Sequence, residues 1–395
     1  YPMYSTWYSY HQNIDTEAVV AECKKAYELG MRAVIVDDGW QTDNSERGYA
    51  YCGDWKPAPK RIGNMKAFVD AIHSTGMKFI LWYSVPFVGR HSEAWHRFKG
   101  KFLDSEENDY CVLDPRYREV RDYLTGIYEN AAKEWGIDGF KLDFIDSLRM
   151  TEFSNEYNSE MDTEQLEDAI EKLLGDILKR LRGINPNILI EFRQNYIGPL
   201  MQTYGNMLRA SDCPYDALTN RMRTLDLRMM SGYGVVHSDM LMWDMSGSSE
   251  NAARQITNVL FSVPQISVKL NDIPAEHMEM LKFYLSFCDR YRDVLLEGPL
   301  HVYQPEMLYS MAYAKKGNRA VAVDFSGVVW NIESGIDEAV YVNAAQKNAL
   351  YINAENIDGT YDILNCRGKI IEKGTLLRNT LKKFNVPVSG MIIIR

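Results

Sequence analysis

The sequence predicts an α/β protein: a (β/α)8 barrel of the TIM type with a small C-terminal antiparallel β-sandwich domain. Three observations carry this. A chain of 395 residues is long for one ordinary domain but fits a barrel of about 250 residues or more plus an accessory unit. Up to about residue 295, short β-rich apolar runs alternate with amphipathic stretches, the order that builds parallel sheet through βαβ units. Beyond Gly298 the pattern changes to short alternating strands with turn punctuation, which places the expected domains at 1–297 and 298–395.

In chain order, the predicted barrel strands are Met3 to His11, Arg32 to Asp38, Lys78 to Pro86, Gly139 to Asp146, Ile188 to Arg193, Met207 to Asp212, Gly234 to Met240 and Gln265 to Leu270. Helical periodicity lies between them, for example over Thr16 to Leu29, Met65 to Thr75, Arg118 to Trp135, Thr163 to Leu181 and Ala275 to Arg292. Asp15 and Thr163 are placed to cap two of these helices. Eight strand-then-helix repeats favour a closed barrel over an open doubly wound sheet, and no GxGxxG follows the first strand to support a dinucleotide site. The C-terminal strands are read at Tyr309 to Tyr313, Ala320 to Phe325, Ala339 to Val342, Gly359 to Leu364 and Gly390 to Ile394.

Apolar residues make up 46% of the chain and charged residues 25%, enough to bury a sizeable core. A net charge of -10 without a basic stripe argues against nucleic acid as a partner. No apolar run reaches the length of a membrane span. The six cysteines are scattered with no CxxC, so neither a zinc site nor a disulfide framework is predicted, and a reducing, cytoplasmic setting is slightly favoured. The chain opens Tyr1-Pro2-Met3 without an initiator methionine, which reads as a piece of a longer protein.

In a barrel the chemistry sits at the C-terminal strand ends, and here those ends are charged. Val36-Asp37-Asp38-Gly39-Trp40 ends the second strand, Lys141-Leu142-Asp143 the fourth, Glu191-Phe192-Arg193 the fifth and Arg209-Ala210-Ser211-Asp212 the sixth. Residues two apart share a strand face, so Lys141 and Asp143 lie on one face, as do Glu191 and Arg193. A carboxylate beside a lysine stays ionised, as a nucleophile must, while a second carboxylate in a drier setting can hold a proton and act as acid. Glycoside hydrolysis needs that pair of roles. Trp7, Tyr8, Tyr10, Trp40, Trp82, Tyr83 and Trp243 supply rings on which sugar C–H faces can pack.

The runs Trp7-Tyr8-Ser9-Tyr10-His11, Val36-Asp37-Asp38-Gly39-Trp40, Trp135-Gly136-Ile137-Asp138-Gly139-Phe140-Lys141-Leu142-Asp143 and Arg209-Ala210-Ser211-Asp212 together resemble glycoside hydrolase family 36, in the clan of families 27 and 31. The resemblance implies a retaining α-galactosidase with Asp143 as nucleophile and Asp212 as acid/base. It implies that Asp37 and Asp38 hold the galactose 4- and 6-hydroxyls and Lys141 the 3- and 4-hydroxyls. Trp40, Trp82, Glu191, Arg193, Arg209 and Trp243, at or near the strand ends, are the further candidates for sugar binding, with loop packing the alternative for Trp243. It also implies a large β-sandwich domain before the barrel. No metal or organic cofactor is implied, since the retaining mechanism uses side chains and water. The expected partner is an α-galactoside oligosaccharide, with homo-oligomerisation open.

Two departures bear on specificity. Arg209 stands where bacterial members carry tryptophan, as in the raffinose-synthase branch, so galactosyl transfer stands beside hydrolysis. Glu191-Phe192-Arg193-Gln194-Asn195 replaces a Cys- and Gly-rich segment expected around the sugar's 2-hydroxyl.

Blander readings accompany each residue. Asp37-Asp38-Gly39 could cap a turn, Lys141 with Asp143 could be a structural ion pair, and Asp216 competes with Asp212 on spacing alone. His11 and His237 end strands one and seven and more simply donate to backbone than to sugar; Cys213 is read as a small buried residue. The competing functions are α-N-acetylgalactosaminidase, α-glucosidase or α-xylosidase activity within the clan, and, outside enzymes, a sugar-binding barrel without chemistry.

Overall fold

The computed structural model describes residues 1–232 and 234–395. Eight strands close into a barrel in sequential order: β1 (Met3–Ser5), β2 (Ala33–Val36), β3 (Lys78–Ser84), β4 (Gly139–Asp143), β5 (Leu189–Arg193), β6 (Met207–Arg209), β7 (Val235–Leu241) and β8 (Val263–Ile266). Each of the eight predicted runs contributes one strand, and the boundaries differ for local reasons. The first run is strand only to Ser5; Trp7–Tyr10 then forms a single helical turn, with Tyr10 N–H donating to Thr6 O at 2.9 Å, so His11 does not end a strand. His237 lies inside β7 and not at its end.

The crossover helices include α1 (Thr16–Glu28), α2 (Met65–His73), α3 (Arg118–Asn130), α4 (Leu166–Ile184), α5 (Ala217–Met230), α6 (Ser249–Thr257) and α7 (Ala275–Arg290). Between β5 and β6 the described residues hold only a 3-10 turn, Met201–Thr203. Asp15 caps α1, its Oδ1 accepting from Ala18 N at 3.0 Å. Thr163 does not cap α4: the cap position is Gln165, and the Thr163 hydroxyl donates to Asp162 and accepts from Lys172. On α4, Leu166, Ala169, Leu173, Leu174, Ile177 and Leu181 recur at helical spacing and form the buried stripe.

After α7 the chain turns to short strands: β9 (Leu300–Tyr303), β10 (Met311–Lys316), β11 (Arg319–Asp324), β12 (Val329–Asn331), β13 (Glu338–Asn343), β14 (Leu350–Asn353), β15 (Gly359–Leu364), β16 (Ile370–Leu376), β17 (Leu381–Phe384) and β18 (Met391–Ile394). They make a seven-stranded sheet, β9-β10-β11-β13-β18-β15-β16, and a three-stranded sheet, β12-β14-β17. Most pairings are antiparallel, with β11/β13 and β12/β14 parallel. Tyr341, Ile363 and Ile392 from the first sheet and Trp330, Ile352 and Phe384 from the second share one hydrophobic cluster.

By compactness the chain divides into one unit of residues 4–27 and 32–208 and another of residues 1–3, 28–31 and 209–395. That division falls within the barrel strands, and we propose the 297/298 boundary on strand type alone.

Leu173→Ala in the buried face of α4 is expected to cost about 2–5 kcal/mol and Asp15→Ala about 1 kcal/mol, both read from urea unfolding.

Candidate active site

In the unit holding β2 to β5, the polar strand ends are wired to one another. Val36 ends β2, and the chain then turns so that Asp37 N donates to Thr6 Oγ1 at 3.0 Å and Asp37 Oδ1 accepts from Asp38 N at 3.0 Å. Lys141 Nζ on β4 donates to Asp37 Oδ2 at 2.6 Å, and both side chains are at least 95% buried. Asp38 is buried too; its two oxygens accept from Gln12 Nε2 at 2.8 Å and Gln41 Nε2 at 2.7 Å. Gly39 makes this possible: at φ +114° its Cα comes so close to the Gln12 backbone that an added Cβ would stand 2.4 Å from Gln12 Cα. Burial pushes the Asp38 carboxyl up to about 6, the two glutamines holding it back and Asp37 adding to the rise.

Register sets the next layer. Trp82 on β3 faces Lys141 across the ladder and Ser84 faces Asp143, while Lys141 faces Glu191 on β5. Asp143, the last residue of β4, is gripped at both oxygens: Oδ2 accepts from Trp82 Nε1 at 2.9 Å, and Oδ1 from Phe144 N at 2.9 Å and Arg193 Nε at 2.5 Å. Phe144 takes φ +61°, turning the chain away directly after the carboxylate.

The unit that includes Arg209, β7 and β8 has its own cluster. Arg209, buried at the end of β6, donates from Nη1 to Asp212 Oδ1 at 2.9 Å and to Asp239 Oδ1 at 2.6 Å. Asp239 Oδ2 accepts from Cys213 N at 2.7 Å, which ties the segment after β6 to β7. Burial, with Asp239 next, pushes the Cys213 thiol up to about 12, so it is a buried packing residue as read from sequence. His237 pairs with Gln265 at 3.2 Å; burial first, with Arg209 also contributing, holds it down at about 3 and therefore neutral.

Several expectations change. The side chain of Asp212 is 51% exposed and ion-paired, which is not the drier setting expected of the acid. Asp216 is spent as the N-cap of α5, accepting from Thr219 N at 3.0 Å and Thr219 Oγ1 at 2.6 Å, which removes it as the rival of Asp212. Trp40 is fully buried among Trp55, Tyr83 and Trp135, and its N–H goes to Trp82 O at 2.8 Å, so it packs beneath the strand ends and offers no ring face to a sugar. Trp243 is likewise buried, its N–H donating to His277 Nδ1 at 3.2 Å. Asp37, Asp38, Trp82, Lys141, Asp143, Glu191 and Arg193 fall together in the first unit, Arg209 and Asp212 in the second.

Two residues escaped the sequence reading. Asp239 sits in β7 directly after His237 and Ser238, and a carboxylate inside a buried strand is the signal that could have found it. Tyr49 packs with Phe87, Tyr110 and Phe144, and its hydroxyl is raised by burial and then by the charges of Asp38 and Asp143. Nothing near it in sequence marks it. Among the described residues there is no group of three His, Cys, Asp or Glu that could hold a metal, all six cysteines are free, and no helix is long and apolar enough to cross a membrane.

A closed eight-stranded barrel with polar side chains gathered at its strand ends defines a protein of the TIM-barrel class. Residues 3–203, just over half of the chain, match the melibiase family model, and the chain belongs to that family. The curated relatives include the α-galactosidase Mel36A of Lactobacillus acidophilus, 28% identical over 202 residues (47% of this chain, 26% of that one), and the α-galactosidase AgaA of Geobacillus stearothermophilus, 26% identical over 199 residues with the same coverage. The crystal structure of the family 36 α-galactosidase AgaA shares the fold over 100% of this chain and 55% of its own, with a TM-score of 0.71 at 16% identity. The resemblance to family 36 read from the motifs is therefore correct, and the chain spans about half the length of that solved relative.

Removing one member of the buried pair should be costly: Lys141→Met leaves Asp37 without its cation and is expected to lose about 3–5 kcal/mol in urea unfolding, with part recovered in the Lys141→Met/Asp37→Asn double variant. Asp38 gives a pH signature. Because its folded value lies above the ordinary 3.8, its contribution is complete below about pH 4 and lost as pH rises through about 6. The unfolding free energy of Asp38→Asn minus that of the parent should rise by on the order of 2–3 kcal/mol between about pH 4 and pH 7.

Proposed function

We propose that this chain carries the catalytic barrel of a retaining α-galactosidase acting on terminal α-galactosides of oligosaccharides. The observation that carries the reading is Asp143: a nearly buried carboxylate at the end of β4, held by an indole N–H and a guanidinium, with the buried Lys141–Asp37 pair one register step away. Charged groups withdrawn from water are costly, and a strand end holding several of them is better explained by a polar ligand than by stability. In this reading Asp143 attacks the anomeric carbon while Asp212 protonates the departing oxygen, and Asp212 then takes the proton of the water that releases the sugar. Asp37, Asp38 and Lys141 bind the hydroxyls that distinguish galactose, with Trp82, Glu191 and Arg193 beside them in the same unit, and Arg209 is a further candidate for sugar binding.

Membership of the melibiase family supports the reaction class, and its match covers the elements bearing Asp37, Asp38, Lys141, Asp143 and Arg193. Structures of AgaA variants were solved with stachyose and raffinose, which supports an oligosaccharide substrate. Asp212 lies beyond the matched residues, and its role rests on the Arg-Ala-Ser-Asp segment. Transfer of galactose to a second sugar is the companion reading, favoured by Arg209, which is paired to Asp212 at 2.9 Å.

The test is nitrophenol release from p-nitrophenyl α-galactoside beside the α-glucoside, α-xyloside and α-N-acetylgalactosaminide. Turnover of the galactoside is expected, lowered at least about a thousandfold in Asp143→Asn and about 10²–10⁴-fold in Asp212→Asn. Galactoside turnover that survives in Asp143→Asn sinks the assignment. Turnover of another glycoside keeps the mechanism and overturns the roles of Asp37 and Asp38.

A further inference from the structure

Arg193 lies in the segment where the chain departs from the family pattern, and the structure puts its charge on the proposed nucleophile. Nε donates to Asp143 Oδ1 at 2.5 Å, Nη1 donates to Gln194 O at 2.7 Å, and Nη2 lies 3.7 Å from Asp146. The guanidinium carbon stands 5.1 Å from the Phe144 ring centre and 5.4 Å from that of Tyr196, and Tyr196 is itself fixed by its hydroxyl donating to Leu142 O at 2.7 Å. Backbone, carboxylates and two rings thus set the direction of the fork, and only 14% of the side chain is exposed.

We propose that Arg193 is a positioning residue that locks the Asp143 carboxylate in place and keeps it weakly basic, so that the step it accelerates is release of the sugar from the glycosyl-enzyme. The proposal rests on Asp143 as nucleophile. In the first step a bond forms between Asp143 oxygen and the anomeric carbon as the bond to the aglycone oxygen breaks, the aglycone taking the proton of Asp212. In the second step water oxygen bonds to that carbon, the ester to Asp143 breaks with its electron pair returning to the carboxylate, and Asp212 takes the water proton. A guanidinium bonded to that carboxylate stabilises the anion that departs in the second step and tempers it as an attacker in the first.

Among the described residues, the charged and titratable groups around Asp143 and Arg193 include Glu191 on β5, Lys141 on β4 with its partner Asp37, Asp146 just after β4, Tyr196 after β5, and Asp38 and Tyr49 beyond β2. Arg193→Met removes one cation from this set; Arg193→Lys keeps the charge and loses the fork.

The experiment has two readouts. The first is the carboxyl ¹³C shift of Asp143, identified by its absence in Asp143→Asn, followed through a pH titration. Its midpoint should rise by about one pH unit or more in Arg193→Met and largely return in Arg193→Lys; a midpoint unmoved in Arg193→Met overturns the proposal. The second is steady-state kinetics on p-nitrophenyl α-galactoside. In Arg193→Met, kcat should fall by roughly tenfold and KM by at least as much, with kcat/KM at or above the parent value, because the covalent intermediate accumulates. A fall in kcat/KM at constant KM places Arg193 in the first step or in mere packing, and overturns the proposal. If the parent protein turns over none of the four glycosides, the α-galactosidase reading fails and the catalytic half of this proposal with it, while the carboxyl titration still decides whether Arg193 governs Asp143.

Discussion

Lys141 reaches from the middle of β4 to Asp37 just beyond β2, and most of the site in that unit follows from the cost of putting those two charges out of water. An ammonium and a carboxylate at 2.6 Å offset each other's desolvation only if both are held in place. The structure supplies the holding: Asp37 is pinned through Thr6 and Asp38, and Lys141 sits in a ladder between Trp82 and Glu191. The ion pair therefore fixes the distance between two strand ends, and Asp143 inherits its position from it two residues along β4.

Around that pair the polar atoms are used economically. Trp82 gives its N–H to Asp143 and its carbonyl to the Trp40 N–H, which links the carboxylate to the aromatic layer beneath. Trp40, Trp55 and Tyr83 form that layer by edge-to-face and stacked contacts, so the residues that look most like sugar platforms in sequence include one that is floor. Asp38 shows the opposite arrangement: among the described residues no cation is paired with it at salt-bridge distance, two amide side chains serve instead, and its affinity for a proton rises to match. The neighbouring aspartates of one short segment are thus held in different electrostatic states.

The unit after β6 solves the same problem with Arg209 and Asp239. A guanidinium can serve two carboxylates, and here it binds the buried Asp239 and the exposed Asp212 from one nitrogen. Asp239 spends its second oxygen on the Cys213 backbone, so the loop bearing Asp212 is tied to β7 as well as to β6. The carboxylate proposed to carry protons is the one left toward solvent, while its neighbour does the structural work.

The sequence by itself determined the barrel, the order of its strands, the change to short strands near residue 298, and the strand ends at which charge collects. It could do so because strand and helix periodicities are local and because charges ending apolar runs are conspicuous. Lys141 and Asp143 were legible for that reason, as was the cap at Asp15. Tertiary structure alone decided which charges meet. Lys141 is paired with Asp37, 104 residues away, and Arg193 with Asp143, 50 residues away, because register across neighbouring strands brings them together and no local pattern encodes that register. It likewise decided that Trp40 and Trp243 are packed with their N–H groups spent, that Asp216 is a cap, that Asp239 joins Arg209 and that Tyr49 packs on Phe144. Burial and hydrogen-bond partners are properties of the folded chain, so residues identical in type along the sequence take different roles once it closes.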